Sequence, residues 1–155
     1  MKDYRSVVLG VSMLLCSALM TACNLSGAVE SHNDFPDTMM RVQQELTKRG
    51  YQITHIQTLD LGLEKAGYKI DKYRILFFGN ALDFDIIQTR YPEYTVFLPL
   101  SISVYEDDGE IYLQSMPFSM MKKATRDREY LAMVNRWQSD VDQAIHSAAK
   151  PDTLK

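Results

Sequence analysis

A chain of 155 residues has room for one globular domain and a short leader, and a hydrophobic share of 46% is enough to build a core. The formal net charge is −3 and no block of Lys or Arg stands out, so the concentrated basic face that nucleic acid binding requires is missing. We therefore expect no nucleic acid partner.

The first 22 residues have the features of a secretion signal. Val7–Leu19 is an apolar run that is shorter than the about 20 residues needed to span a bilayer. The small residues Thr21 and Ala22 precede Cys23, which is the pattern that lipoprotein signal peptidase cleaves. We predict that residues 1–22 are removed and that Cys23 carries the lipid, palmitate among its acyl chains. A cleaved signal without lipid and a retained N-terminal anchor are the two alternatives.

The cysteine content agrees with this address. Cys16 lies inside the signal and Cys23 is the lipid site, so the mature domain keeps no thiol for redox chemistry, for a disulfide or for a metal. Asn24 is not the Asp that favours inner-membrane retention in enteric bacteria. We therefore expect an extracytoplasmic, membrane-anchored protein, facing the periplasm from the outer membrane if the source is Gram-negative.

The mature chain begins with small and polar residues at 23–34, which predict a flexible tether between lipid and domain. A single domain is expected at residues 35–149, followed by a loose tail at 150–155. Its first element is a helix at Pro36–Arg49, because apolar residues recur there at helical spacing and Asp34 is a suitable cap.

Further elements are predicted in the next forty or so residues: a strand at Tyr51–Gln57, a short helix at Leu59–Ala66, a strand at Tyr73–Phe78 and a helix at Leu82–Tyr91. The strand at Tyr73–Phe78 is nearly all apolar, which is typical of a central strand that is covered on both faces. In the helix that follows it, Leu82, Ile86 and Ile87 are expected to face inward.

The last third of the chain predicts a hairpin and a helix. Thr95–Tyr105 and Glu110–Met116 have alternating apolar residues, and Glu106–Gly109 between them is a typical hairpin loop. Pro99 cannot donate to a strand ladder, which indicates an edge position or a bulge. Ser119–Ala149 predicts one long amphipathic helix on the sheet. The order of elements predicts an α+β fold: a small mixed or antiparallel sheet with helices mainly on one face.

Patterns that carry catalysis or bind metals are hard to find in this sequence. His32 lies in the tether, His55 in a strand and His146 near a helix end, and each position favours a structural role over a ligand. Methionine thioethers bind Cu(I), but the six methionines of the mature domain favour core packing. No nucleophile motif or glycine-rich phosphate loop occurs. We expect no metal, no cofactor and no catalytic residue.

The best candidate site follows the apolar strand. Gly79 and Asn80 lie where that strand leaves the sheet and a helix begins, and backbone N–H groups are free for a ligand at such a point. The alternative is that Asn80 only caps the helix. The candidate ligand-binding residues are Gly79, Asn80, Asp83, Pro99 and Tyr105.

Three stretches form a distinctive series of motifs: Tyr73–Ala81 (YRILFFGNA), Phe97–Leu100 (FLPL) and Val104–Ile111 (VYEDDGEI). Together they resemble the bacterial family named domain of unknown function 302, in which a strand ends in Phe-Gly-Asn-Pro, a second begins at Leu-Pro, and an acidic hairpin contains glycine. The chain departs from the family at Ala81, where members have Pro, and at Thr58-Leu59, where many have Asp-His. The resemblance implies an α+β domain that is often dimeric, and it brings no established activity.

Two functions agree with these observations. The first is a lipid-anchored binding or accessory domain without catalysis, which holds a small apolar ligand or a partner protein. The alternative is an enzyme or redox accessory that uses Asn80, Asp83, Tyr105 or His55 in a cleft near Asn80. The alternative requires these side chains to converge.

The lipid attachment is directly testable. We expect Cys23→Ser to abolish labelling of the protein by a palmitate analogue and to move the protein from the membrane fraction to the soluble fraction, because the acylated thiol is then absent. Labelling and fractionation of cells that produce the wild type and the variant measure both effects. Unchanged fractionation would contradict the anchor.

Overall fold

The computed structural model describes residues 27–67 and 71–151, so the predicted signal, the lipid site at Cys23 and the end of the tail lie outside the described residues. Five strands form one sheet: β1 (Val29–Ser31), β2 (Gln52–Thr58), β3 (Tyr73–Gly79), β4 (Leu100–Asp107) and β5 (Glu110–Ser115). The helices are α1 (Phe35–Lys48), α2 (Asp60–Lys65), α3 (Ala81–Arg90), a 3-10 helix (Pro92–Phe97), α4 (Phe118–Ala124) and α5 (Arg128–Ala149).

The sheet has the strand order β1-β5-β4-β3-β2, and every neighbouring pair is antiparallel. The helices that pack on the strands, α1 and α5, cover one face, where the alternate side chains of β3, β4 and β5 are buried. The predicted α+β class is confirmed, and the sheet is antiparallel throughout. No helix in the described ranges is long and apolar enough to cross a membrane.

The hairpin between β4 and β5 is tighter than the sequence predicted. The strands continue to Asp107 and from Glu110, so only Asp108 and Gly109 form the turn. Both have positive φ, 50° and 87°, which is the backbone of the two-residue turn whose twist matches that of antiparallel strands. An Asp-Gly pair favours this turn because both residues tolerate the left-handed region.

The start of β4 is a correction to the prediction of a strand at Thr95–Tyr105. The chain from Pro92 to Phe97 forms a 3-10 helix, and the side chain of Val96 is 78% exposed rather than facing the core. Pro99 follows the 3-10 helix and precedes β4, so this interior strand loses no ladder hydrogen bond to proline. Neither an edge position nor a bulge is needed.

The N-terminal part of the fold is a second correction. Val29–Ser31, which the sequence assigned to the tether, pair with β5 and form the edge of the sheet. The His32 N–H donates to the Ala149 carbonyl, and the Asn33 amide donates to the carbonyls of Ala148 and Lys150. The domain therefore begins before residue 35. Three residues with one apolar side chain are too short a strand to be recognised from alternation.

The C-terminal helix is a third correction, because the predicted single helix at Ser119–Ala149 is two helices. Thr125–Asp127 separate α4 from α5, and the Asp127 carboxylate caps α5 by accepting from the N–H groups of Glu129 and Tyr130. These backbone hydrogen bonds, the one from Tyr130 above all, lower the pKa of Asp127. A carboxylate at a helix N-terminus also complements the helix dipole.

The inward face of α3 agrees with the prediction only in part. Asp83 and Ile87, four residues apart, are the buried positions, and Ile86 packs partly against the core. Leu82 is 76% exposed. The helix begins at Ala81. The inward positions of Ile87 and, in part, Ile86 are confirmed, whereas Leu82 is replaced at the first inward position by the buried carboxylate of Asp83.

Leu76 lies in the middle of the core on β3 and is fully buried, whereas Ile75 lies on the opposite, partly exposed face of the same strand. We expect Leu76→Ala to lower the free energy of unfolding by about 2–5 kcal/mol, since it leaves a cavity in packed surroundings. Ile75→Ala is the matched control, for which we expect about 1 kcal/mol. Urea unfolding followed by circular dichroism measures both. Equal losses would contradict the assignment of the two faces.

Candidate functional site

A cavity of about 440 Å³ lies at the end of the sheet where β3 finishes, β2 and β4 begin, and α3 starts. Its wall is mainly apolar and consists of Tyr51, Gln52, Thr54, Gly79, Asn80, Ala81, Asp83, Phe84, Leu98, Pro99, Leu100 and Trp137. Four of the five residues that the sequence named as ligand-binding candidates, Gly79, Asn80, Asp83 and Pro99, lie together in this wall. They converge because the strand end and the start of β4 are neighbours in the sheet.

Tyr105, the fifth candidate, lies elsewhere. It stacks between Tyr73 and Tyr112 on the face of the sheet that α1 and α5 do not cover. His55 is exposed on that same face, where its ring stacks on Phe77. The four side chains of the enzyme hypothesis therefore do not share one cleft.

Both polar atoms of the Asn80 side-chain amide have hydrogen-bond partners within the protein. Its Oδ1 accepts hydrogen bonds from the N–H groups of Leu82 at 3.0 Å and Asp83 at 3.4 Å, and its Nδ2 donates to the Gly50 carbonyl at 3.1 Å. The side chain thus caps α3, which was the alternative role considered for Asn80 from the sequence. It also connects that helix to the turn before β2. These hydrogen bonds hold Asn80 in place as part of the cavity wall.

Asp83 is the buried charge of the site, with 7% of its surface exposed. One carboxylate oxygen accepts from Arg136 Nη2 at 2.6 Å and the other accepts from Trp137 Nε1 at 2.8 Å. The hydrogen bond to Asp83 raises the pKa of Arg136. Because both oxygens have donors from α5, the carboxylate holds α3 against that helix.

Tyr51 and Trp137 form the aromatic part of the wall, and neither residue stood out in the sequence as a site candidate. The Tyr51 hydroxyl donates to Asp140 Oδ2 at 2.9 Å, and its ring meets Phe78 edge-on at 5.5 Å between centroids. Burial raises the pKa of the Tyr51 phenol well above its usual value, and the hydrogen bond to Asp140 raises it further. The phenol is therefore a neutral donor. Trp137 is only 1% exposed and is the single tryptophan of the chain.

Three polar side chains of this wall, those of Asn80, Asp83 and Tyr51, already have partners within the protein. An apolar wall with its buried polar groups already paired suits an uncharged apolar molecule, which requires no new partner. Across residues 27–67 and 71–151, no group of three or more His, Cys, Asp or Glu side chains is arranged to hold a metal ion.

Comparison with known proteins places the chain among domains of unknown activity. The family profile described as "Domain of unknown function DUF302" matches residues 27–148, which include β1 and nearly all of α5. The chain is also similar to the crystal structure of an uncharacterized conserved protein DUF302 from Bacillus stearothermophilus, with a TM-score of 0.71 and 16% identity over 79% of this chain and 96% of that one. At this identity the likeness shows the fold alone. No curated protein matches the chain significantly.

The role of Asp83 in holding the site together is testable by stability. We expect Asp83→Ala to lower the free energy of unfolding by about 1–3 kcal/mol, because the buried Trp137 N–H loses its acceptor. Asp83→Asn keeps an acceptor and should lose less. Asp85→Ala, an exposed neighbour on the same helix, is the control and should change it by about 0.5 kcal/mol or less. Urea unfolding followed by circular dichroism gives the three values. Equal stability of the Ala variants at 83 and 85 would contradict this role.

Proposed function

The chain belongs to the DUF302 family, and we propose that it is a lipid-anchored, extracytoplasmic binding domain that holds a small apolar molecule in the cavity beside Asn80. The observation that supports this function is the mainly apolar cavity wall between Trp137 and Pro99. A volume of about 440 Å³ falls in the range of roughly 300–1,000 Å³ that is usual for small-molecule sites.

The wall favours an uncharged ligand. Its one buried charge, Asp83, is paired with Arg136, so a ligand carboxylate or ammonium would find no free countercharge at that group. Tyr51 is a neutral phenol that already donates to Asp140. Burying an unpaired ligand charge here would cost several kcal/mol or more, whereas apolar surface gains by leaving water.

The geometry gives the enzyme alternative no comparable support. That hypothesis needed Asn80, Asp83, Tyr105 and His55 in one cleft, and the last two lie on the uncovered face of the sheet. Asp83 has both oxygens bound to donors, so it is not available as a base without breaking contacts that hold α3. A binding or accessory role is therefore the function we propose.

The lipid anchor is the part of this proposal that rests on sequence alone. Its support is the apolar leader and the small residues before Cys23, which lie outside the described residues. An anchor would hold the cavity close to a membrane, where apolar molecules are concentrated. The outer membrane is the proposed location if the source is Gram-negative.

Ligand binding is tested with N-phenyl-1-naphthylamine, a neutral apolar probe whose fluorescence rises in apolar surroundings. The lipid-free domain of residues 24–155 should bind it in the micromolar range, and energy transfer from Trp137, the single tryptophan, should report that the probe is in this cavity. We expect Gly79→Leu to weaken binding about tenfold or more, because the added side chain occupies space in the wall.

Gly79 suits this test because a Cβ added there meets no atom within 4 Å, so the substitution need not disturb the fold. Gly62→Leu on α2 is the matched control, since a Cβ there also meets no atom within 4 Å and Gly62 does not line the cavity. It should bind the probe like the wild type. Equal affinity of the two Leu variants, or no energy transfer from Trp137, would exclude the cavity as the site.

A further inference from the structure

The face of the sheet opposite α1 and α5 carries a row of tyrosines. Tyr73, Tyr105 and Tyr112 occupy the same register on β3, β4 and β5. Neighbouring rings lie 5.5 and 5.6 Å apart between centroids, at 15° and 26° to each other, and all three side chains are partly exposed. Aromatic side chains with one polar end are enriched at protein interfaces, so this row is a candidate contact surface.

The charge on this face is acidic. Glu30 is the cross-strand neighbour of Tyr112, and Asp107 lies opposite Glu110 two register positions further along the same face. These three carboxylates belong to exposed residues. Arg74 is the only Lys or Arg in the five strands. Its register with Val104 places it on the face that α1 and α5 cover.

The guanidinium of Arg74 has its partners within the fold. It forms an ion pair with Asp60 and lies 5.8 Å from the centre of the Phe35 ring. Among the described residues, the strands therefore place three carboxylates and three tyrosine rings, but no Lys or Arg, on the uncovered face. Lys72, which precedes β3 and lines a groove with Glu30 and Glu110, forms its ion pair with Glu106.

The titration of Tyr112 agrees with this arrangement. Desolvation raises the pKa of its phenol, and the negative charges of Glu30, Glu110, Asp107 and Asp108 raise it further. The carboxylates are thus close enough to act on the ring's hydroxyl. The same field favours a cation at this end of the face.

We propose that this face binds a basic segment of a partner protein, whose Lys or Arg side chains lie over the tyrosine rings and pair with Glu30, Glu110 and Asp107. A cation within about 6 Å of a tyrosine ring centre is attracted by the ring's quadrupole, and a carboxylate beside the ring adds direct charge pairing. The partly exposed side chains of neighbouring strands offer an extended surface for such a segment. The site is separate from the cavity beside Asn80 and does not depend on its ligand.

Other occupants fit the face less well. Nucleic acid is repelled by the three carboxylates. A second copy of the chain brings an identical acidic face with no basic strand residue to offer, so its charge is not complementary. Charge complementarity therefore favours a basic partner.

The test uses the intact lipidated protein in a neutral maltoside detergent, with fluorescein-labelled nona-arginine as the probe and fluorescence anisotropy as the readout. We expect Glu30→Gln combined with Glu110→Gln to raise the dissociation constant about tenfold and to reduce its salt dependence. Tyr105→Leu combined with Tyr112→Leu leaves the charge unchanged, and we expect it to raise the constant about fivefold through loss of the rings.

The matched control is Asp85→Asn combined with Glu93→Gln, which removes two exposed carboxylates outside the strands. It should change the dissociation constant less than about twofold. Absence of probe binding overturns the proposal. An equal loss of affinity in the control and face variants also overturns it, because the probe is then attracted by the overall acidic charge of the protein and not by this face. A dimer by light scattering that dissociates in the double tyrosine variant also overturns it, because a second copy then occupies the face.

Discussion

The contact on which the site depends is the buried carboxylate of Asp83, held between Arg136 and the indole of Trp137. It joins α3, which starts at the end of the central strand, to the long helix that covers the sheet. Because both carboxylate oxygens are satisfied, the charge is tolerated in an interior position and fixes the two helices relative to each other. The mainly apolar cavity between Trp137 and Pro99 lies beside this contact between the two helices.

The antiparallel sheet separates the molecule into two surfaces of different chemistry. One face supplies Leu76, Phe78 and their neighbours to the core, and α1 and α5 cover it. The other holds the tyrosine row that includes Tyr105, with carboxylates at one end. Side chains alternate along each strand, so the register that buries one set of residues in the core also decides which residues the other face presents. The mainly apolar cavity and the acidic aromatic surface are therefore separate features of the fold.

Local patterns predicted the elements whose causes are local. Asp34 and Asn80 were recognised as caps, and the hairpin was recognised from its acidic residues and Gly109, because these residues act on the backbone beside them. The predictions failed where a distant contact decided the outcome. Val29–Ser31 become a strand only by pairing with β5, and the break before α5 depends on Asp127 as a cap. Four of the five candidate site residues converge on one cavity, whereas Tyr105 lies on the uncovered face of the sheet.

The sequence by itself determined the α+β class, the family motifs around Gly79-Asn80 and the lack of any cysteine after Cys23. These features depend on which residues are present and on patterns among near neighbours in the chain. Only the tertiary structure decided that Tyr51, Phe84 and Trp137 meet around one cavity, and that three tyrosines align on the uncovered face. These residues are far apart along the chain. Their meeting depends on strand register and helix packing, which no local pattern encodes.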